Sequence, residues 1–159
     1  MKRVVTILLF SIIALYGYGL NDRLDASITN RLGIGANKIY IIDFFASWCH
    51  SCKKELPLIS NIKSQIGSDI EVIGVDVDEN IEDANRFCKL LRDKGELSFK
   101  TINDPNGIIV SKFNPPGIPA IYIVKGGKIA DMIIGAKSSI DKIILQKIKA
   151  LRWGLYTSF

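Results

Sequence analysis

The chain has 159 residues, the length of one domain behind a short leading segment, with 48% hydrophobic and 23% charged residues. That composition excludes intrinsic disorder, and a net charge of only +5, with acids interleaved among the bases and no basic stripe, excludes a nucleic-acid binder. Three cysteines are too few for a disulfide scaffold, and one histidine, His50, leaves no second imidazole for a zinc or copper centre.

Lys2 and Arg3 precede an uncharged apolar run from Val4 to Leu20. A short basic region before such a run is the export-signal pattern, and Gly17 and Gly19 offer small residues for cleavage after Gly19. The run also reaches the lower limit for spanning a bilayer. Residues 1–20 are therefore expected to be a signal peptide or a signal anchor in contact with the membrane, the alternative being a buried first helix. The rest of the chain is expected on the outer side of the cytoplasmic membrane. No cysteine follows the run, which argues against a lipid anchor.

Residues 21–37 form a polar segment, helical in part. Lys38 to Ala46 (KIYIIDFFA) is a continuous apolar run of strand length, as in a central strand covered on both faces. Cys49 to Ile66 carries Cys52, Leu56, Ile59 and Ile66 on one helical face, with Pro57 expected to kink the helix. Asp69 to Val77 reads as a second buried strand. Asn80 to Lys94 reads as a helix that starts with acids and stops at Gly95. Leu97 to Ile102 is a short strand, and Pro105 to Phe113 a short helix with Pro in its first turn. Ile118 to Val124 and Lys128 to Ile134 are strands joined by Gly126-Gly127, a hairpin signal. Ser138 to Leu151 closes the chain as an amphipathic helix. This alternation predicts an α/β fold, a mixed sheet flanked by helices.

Trp48-Cys49-His50-Ser51-Cys52 stands where a buried strand gives way to a helix. Cys49 falls at the helix N-terminus, where free N–H groups and the positive end of the dipole favour a thiolate. Cys52 is one turn on, so both sulfurs project to the same side and can close and open in exchange. Cys49 is the expected attacking thiol and Cys52 the resolving one. A structural disulfide or half of a zinc site are the alternatives, the latter short of a second C-x-x-C or His pair. Cys88 is expected to be a packed free thiol.

The run from Asp43 to Lys53 (DFFASWCHSCK), followed by Pro57, resembles the active-site strand and helix of the thioredoxin superfamily. Gly117-Ile118-Pro119 resembles the loop that carries that fold's cis-proline, and Gly135-Ala136 its closing segment. The similarity covers 38–151, within an expected thioredoxin-like domain of 38–159. The resemblance implies that Cys49 and Cys52 are the redox-active disulfide. Asp43 would be the buried acid that takes the proton of the second cysteine, and Trp48, Ile118 and Pro119 would line the substrate site. Asp43 has a physical case of its own, since an acid in an apolar strand is desolvated and its pKa rises; the alternative is a strand acid facing a polar pocket. For Trp48 the alternative is plain packing. Thioredoxin's lysine partner for its acid aligns with Gly74 here.

Cys52-Lys53-Lys54-Glu55-Leu56-Pro57-Leu58 is similar to a run in the exported TlpA/ResA/CcmG-like oxidoreductases, where the acid at the Glu55 position tunes the thiols; a solvated helix-start acid is the alternative. The long stretch from Asn80 to Pro119 resembles their inserted helix and strand before the cis-proline loop. The resemblance implies a reductase of cysteines in exported proteins, with apocytochrome c as one client and a membrane protein as electron donor, and with no cofactor or metal. An oxidant or isomerase of secreted proteins and a non-catalytic client-binding chaperone are the competing functions. Strong oxidants of the superfamily place His directly before the second cysteine, where this chain has Ser51.

Overall fold

The computed structural model describes residues 16–154. The export segment expected over 1–20 lies mostly outside the described residues. The elements are α1 (Ala26–Leu32), β1 (Ile39–Phe45), α2 (His50–Lys63), β2 (Ile70–Asp76), α3 (Ile81–Asp93), β3 (Lys100–Asn103), α4 (Val110–Phe113), β4 (Ala120–Lys125), β5 (Lys128–Ile134) and α5 (Ile140–Arg152). Five strands form one mixed sheet in the order β3-β2-β1-β4-β5.

β1 is central because every one of its residues is apolar or able to be buried, and all seven are buried. It runs parallel to β2, with Asp43 opposite Gly74, and antiparallel to β4, with Phe44 opposite Ala120. Alternation sends Ile39, Ile41, Asp43 and Phe45 to one face of the sheet and Tyr40, Ile42 and Phe44 to the other. The Asp43 face is covered by α2, α3 and α5 through Leu56, Ile59, Phe87, Leu91, Ile144 and Ile148. The opposite face is covered by α1 and α4, with an aromatic cluster at its centre: Phe113 stands 4.9 Å from Tyr122, 5.0 Å from Phe44 and 5.1 Å from Tyr18. Gly126 and Gly127 both take positive φ, 59° and 75°, as the expected tight hairpin requires.

Residues 21–37 do more than a weakly specified polar segment would. Asp25 caps α1 by accepting the Ile28 N–H at 3.0 Å, and Gly33 ends the helix in the left-handed region. Leu24, Ile28 and Leu32, spaced four apart, are fully buried. Just before them, Asn21 and Leu24 donate to the Ile129 and Gly127 carbonyls and Asp22 accepts from Ile129 N–H, so this stretch seals the outer edge of β5.

Two elements start three residues or more after the sequence expectation. The strand expected at Leu97 starts only at Lys100, because residue 98 is bound to α2 instead of β2: its N–H donates to Ser60 Oγ at 3.1 Å and its hydroxyl to the Ser60 carbonyl at 3.2 Å. The helix expected from Pro105 is a single turn from Val110. Asp104 accepts the Ile109 N–H at 3.0 Å and the Val110 N–H at 2.8 Å, which fixes 105–109 as a loop and starts the helix late.

Candidate redox site

β1 ends at Phe45, and Cys49 N–H closes a turn onto the Ala46 carbonyl at 3.2 Å. Cys49 is the N-cap of α2, and its Sγ accepts the Cys52 N–H at 3.2 Å. The two sulfurs are bonded at 2.04 Å, with Cα atoms 5.3 Å apart. A helix N-terminus pointing its free N–H groups at Sγ stabilises the thiolate once the bond opens. The first turn of α2 holds no acid, while His50, Lys53 and Lys54 are exposed around it. Cys49 keeps 6% of its surface in solvent and Cys52 only 1%. An incoming sulfur therefore meets Cys49.

Asp43, on the sheet face that carries the disulfide, is 1% exposed, and its Oδ1 has no hydrogen-bond partner. Burial, followed by the charge of Glu55, pushes its pKa up to about 8. Glu55 is itself buried at 4%, which overturns the alternative of a solvated helix-start acid. Its Oε1 accepts the Lys137 N–H from the segment before α5, while Oε2 has no partner. Burial raises its pKa, and the Lys137 N–H and charge pull part of the way back. A lysine partner for Asp43 has no room on β2. A Cβ at Gly74 would stand 2.7 Å from the Phe45 ring and 3.0 Å from that of Phe99. The charged neighbour acting on Asp43 is thus another acid.

The Ile118–Pro119 peptide bond is cis. Pro119 is buried where β4 begins, next to the end of β1 that leads into Cys49, and its carbonyl accepts the Gly135 N–H at 2.9 Å. Ile118 is half-buried and packs against both halves of the core. Asn114 opens this loop in the left-handed region at φ 45°. Trp48 is 68% exposed, so it is a surface side chain beside Cys49 and not a packing residue.

The sequence reading missed a second acidic group behind the turn. Ser47 donates its N–H to Asp78 Oδ2 at 2.8 Å and its hydroxyl to Oδ1 at 3.0 Å. Asp76 accepts the Asp78 N–H at 3.0 Å and the Cys88 thiol at 3.6 Å. Burial raises the pKa of Asp76 and pushes the Cys88 thiol up to about 11. Cys88 is free and buried, as expected. The signal was present: Asp76 stands in an apolar strand just as Asp43 does. Among the described residues, no group of three or more His, Cys, Asp or Glu is gathered to hold a metal ion.

The sequence model of the family described as thioredoxin-like matches residues 37–129, more than half of the chain. The chain belongs to the thioredoxin-like family. Thioredoxin 2 of Plasmodium berghei is 35% identical over 77 residues, 46% of this chain and 49% of that protein. Thioredoxin-T of Drosophila melanogaster is 26% identical over 130 residues, 82% of this chain. The matches span 49% and 64% of these relatives, less than two thirds of either. A Chlorobium tepidum protein described as a thiol:disulfide interchange protein DsbE superposes with a TM-score of 0.72 at 18% identity, over 84% of this chain and 98% of that one. A secreted Mycobacterium tuberculosis disulfide oxidoreductase homologous to E. coli DsbE superposes at 0.60 with 21% identity, over 71% and 82%. The thioredoxin fold is shared with both. The inserted helix and strand expected before the cis-proline loop are α3 and β3.

Proposed function

We propose that this protein is an exported thiol–disulfide oxidoreductase that reduces disulfides in extracytoplasmic proteins. The observation that carries the reading is Asp43: a buried carboxyl with an unpartnered oxygen and a pKa near 8, on the sheet face that carries a cysteine pair at a helix N-terminus. In the reduced protein the Cys49 thiolate attacks one sulfur of a client disulfide. A bond forms between Cys49 and that sulfur, and the client's other sulfur leaves as a thiolate and takes a proton from water. Cys52 then gives its proton to ionised Asp43 and attacks Cys49 Sγ. The Cys49–Cys52 bond forms as the bond to the client breaks, and two electrons have passed to the client. An acid near pKa 8 suits this role, because it accepts and returns a proton near neutral pH. Glu55 holds the segment before α5 and raises the Asp43 pKa. The client's chain lies along Trp48, Ile118 and Pro119, with Ile118 backbone groups available to an extended strand.

Export is supported by Lys2, Arg3 and the apolar run to Leu20, and by likeness in fold to a protein described as secreted. Among the described residues no helix is long and apolar enough to cross a membrane. Apocytochrome c cysteines fit as clients, and a membrane protein as electron donor. Ser51, not His, before Cys52 favours a reductase over an oxidant or isomerase. The reduction potential of the Cys49–Cys52 pair tests the direction. A reductase lies near or below about −270 mV, whereas a value near about −120 mV would assign an oxidant.

A further inference from the structure

The redox turn is held from behind by an acid that the reaction above does not use. Asp78 sits between β2 and α3 and is buried. Its two oxygens accept the Ser47 N–H at 2.8 Å and the Ser47 hydroxyl at 3.0 Å, and its carboxyl also meets that of Asp76, whose pKa it helps to raise. Ser47 lies two positions before Cys49, inside the turn closed by the Cys49 N–H to Ala46 bond. Asp78 is fixed in its turn: its N–H donates to Asp76 Oδ1, and Asp76 Oδ2 accepts the thiol of Cys88 on α3. A continuous run of contacts thus joins α3 to the turn that presents the attacking sulfur.

We infer that Asp78 is a positioning residue for Cys49, acting through Ser47. The inference rests on the redox reading only for its consequence; the geometry stands without it. Hydrogen bonds to a carboxylate are the strong ones, and two on one residue fix both the backbone and the side chain of Ser47. Removing the carboxylate leaves the Ser47 N–H without its partner and frees the turn to move Sγ away from the N–H of Cys52. A displacement of about 1 Å in a reacting group costs on the order of a hundredfold in rate. The bond from Cys52 N–H, which favours the thiolate, weakens at the same time.

The test uses the full chain, reduced, with two readouts. The first is alkylation of Cys49 by iodoacetamide across pH, followed by mass spectrometry, which needs no exchange activity. The second is the rate of reaction with a small aromatic disulfide. Two mechanisms make opposite forecasts. If Asp78 positions the turn, Asp78→Ala raises the Cys49 midpoint and slows disulfide attack about tenfold or more. Asp78→Asn keeps an oxygen for the Ser47 N–H and stays close to the parent. If Asp78 acted only as a nearby negative charge, both variants would lower the midpoint alike. His50, Lys53, Lys54, Glu55 and Asp43 are unaltered in both, and Asp76, whose carboxyl meets that of Asp78, loses the same neighbouring charge in both. Ser47→Ala, which removes only the hydroxyl, gives a smaller slowing of about threefold and serves if Asp78→Ala does not fold. Midpoints that fall equally in the two Asp78 variants, or that stay at the parent value in all three, overturn the inference. A parent that alkylates at a depressed midpoint yet reacts with no disulfide would instead overturn the redox reading.

Discussion

Asp43 and Asp104 are both buried carboxylates near the ends of strands, and their surroundings treat them oppositely. Asp104 is met by backbone N–H groups of Ile109 and Val110, and it shapes the loop into α4. Asp43 sits in an apolar strand with one oxygen unpartnered and a second acid, Glu55, as its charged neighbour. A buried carboxylate surrounded by donors is a structural device, because the protein has replaced the water it lost. One left short of donors costs stability and holds its proton, which is useful only where a proton has to move. The two acids also serve different faces of the sheet: Asp104 anchors Ile109 and Val110 on the face of Phe44, Phe113 and Tyr122, and Asp43 lies on the face that carries the sulfurs.

Replacing Asp43 gives the largest effect expected from this contrast. Its folded pKa is raised from 3.8 to about 8, so the folded state holds a proton that the unfolded state has released. Stability therefore falls as pH rises from about 4 to about 8, by up to about 1.4 kcal/mol per pH unit, and is flat above that window. Asp43→Asn should remove most of this slope in denaturant titrations of the oxidised protein. It should also slow release of the mixed disulfide by about a hundredfold, as loss of a general base does. An unchanged slope would make Asp43 a carboxyl that ionises normally.

Asp104→Ala should act on stability alone. Two backbone donors lose their carboxylate, at a cost of about 2–4 kcal/mol by chemical unfolding, with the pH profile of disulfide exchange unchanged. A shifted profile would tie the α4 loop to the chemistry.

Glu55→Gln should have a smaller effect on Asp43. Glu55 raises the Asp43 pKa through its charge, so the neutral amide should bring the acidic limb of the exchange profile down by about one pH unit or less, with the maximum rate nearly kept. Stopped-flow reduction across pH 5 to 9 reads this, and a profile unmoved by Glu55→Gln would reduce Glu55 to the anchor of Lys137.

What the sequence made legible was local. The continuous apolar β1, the Gly126-Gly127 hairpin, and the cysteine pair at a strand–helix junction each carry their signal within a few residues. Three features lay beyond its reach because their causes are far apart in the chain. Glu55 looks like a surface acid until Lys137, 82 positions later, supplies the N–H that buries it. Asp78 holds Ser47 across 31 positions, and Ser60 diverts residue 98 from the sheet across 38. The 21–37 segment was under-read for a different reason. Leu24, Ile28 and Leu32, with Ile34 packed beside them, form its apolar stripe, too few to stand out among polar neighbours although enough to fill one end of the core.

Cys49 is proposed to attack and Cys52 to resolve, and trapping tests those roles most directly. Cys52→Ser should accumulate disulfide-linked complexes with client proteins, visible on non-reducing gels and lost on reduction, because the second step has no sulfur to complete it. Cys49→Ser should trap none, since Cys52 is 1% exposed. Equal trapping by the two variants, or trapping by Cys49→Ser alone, would contradict the account.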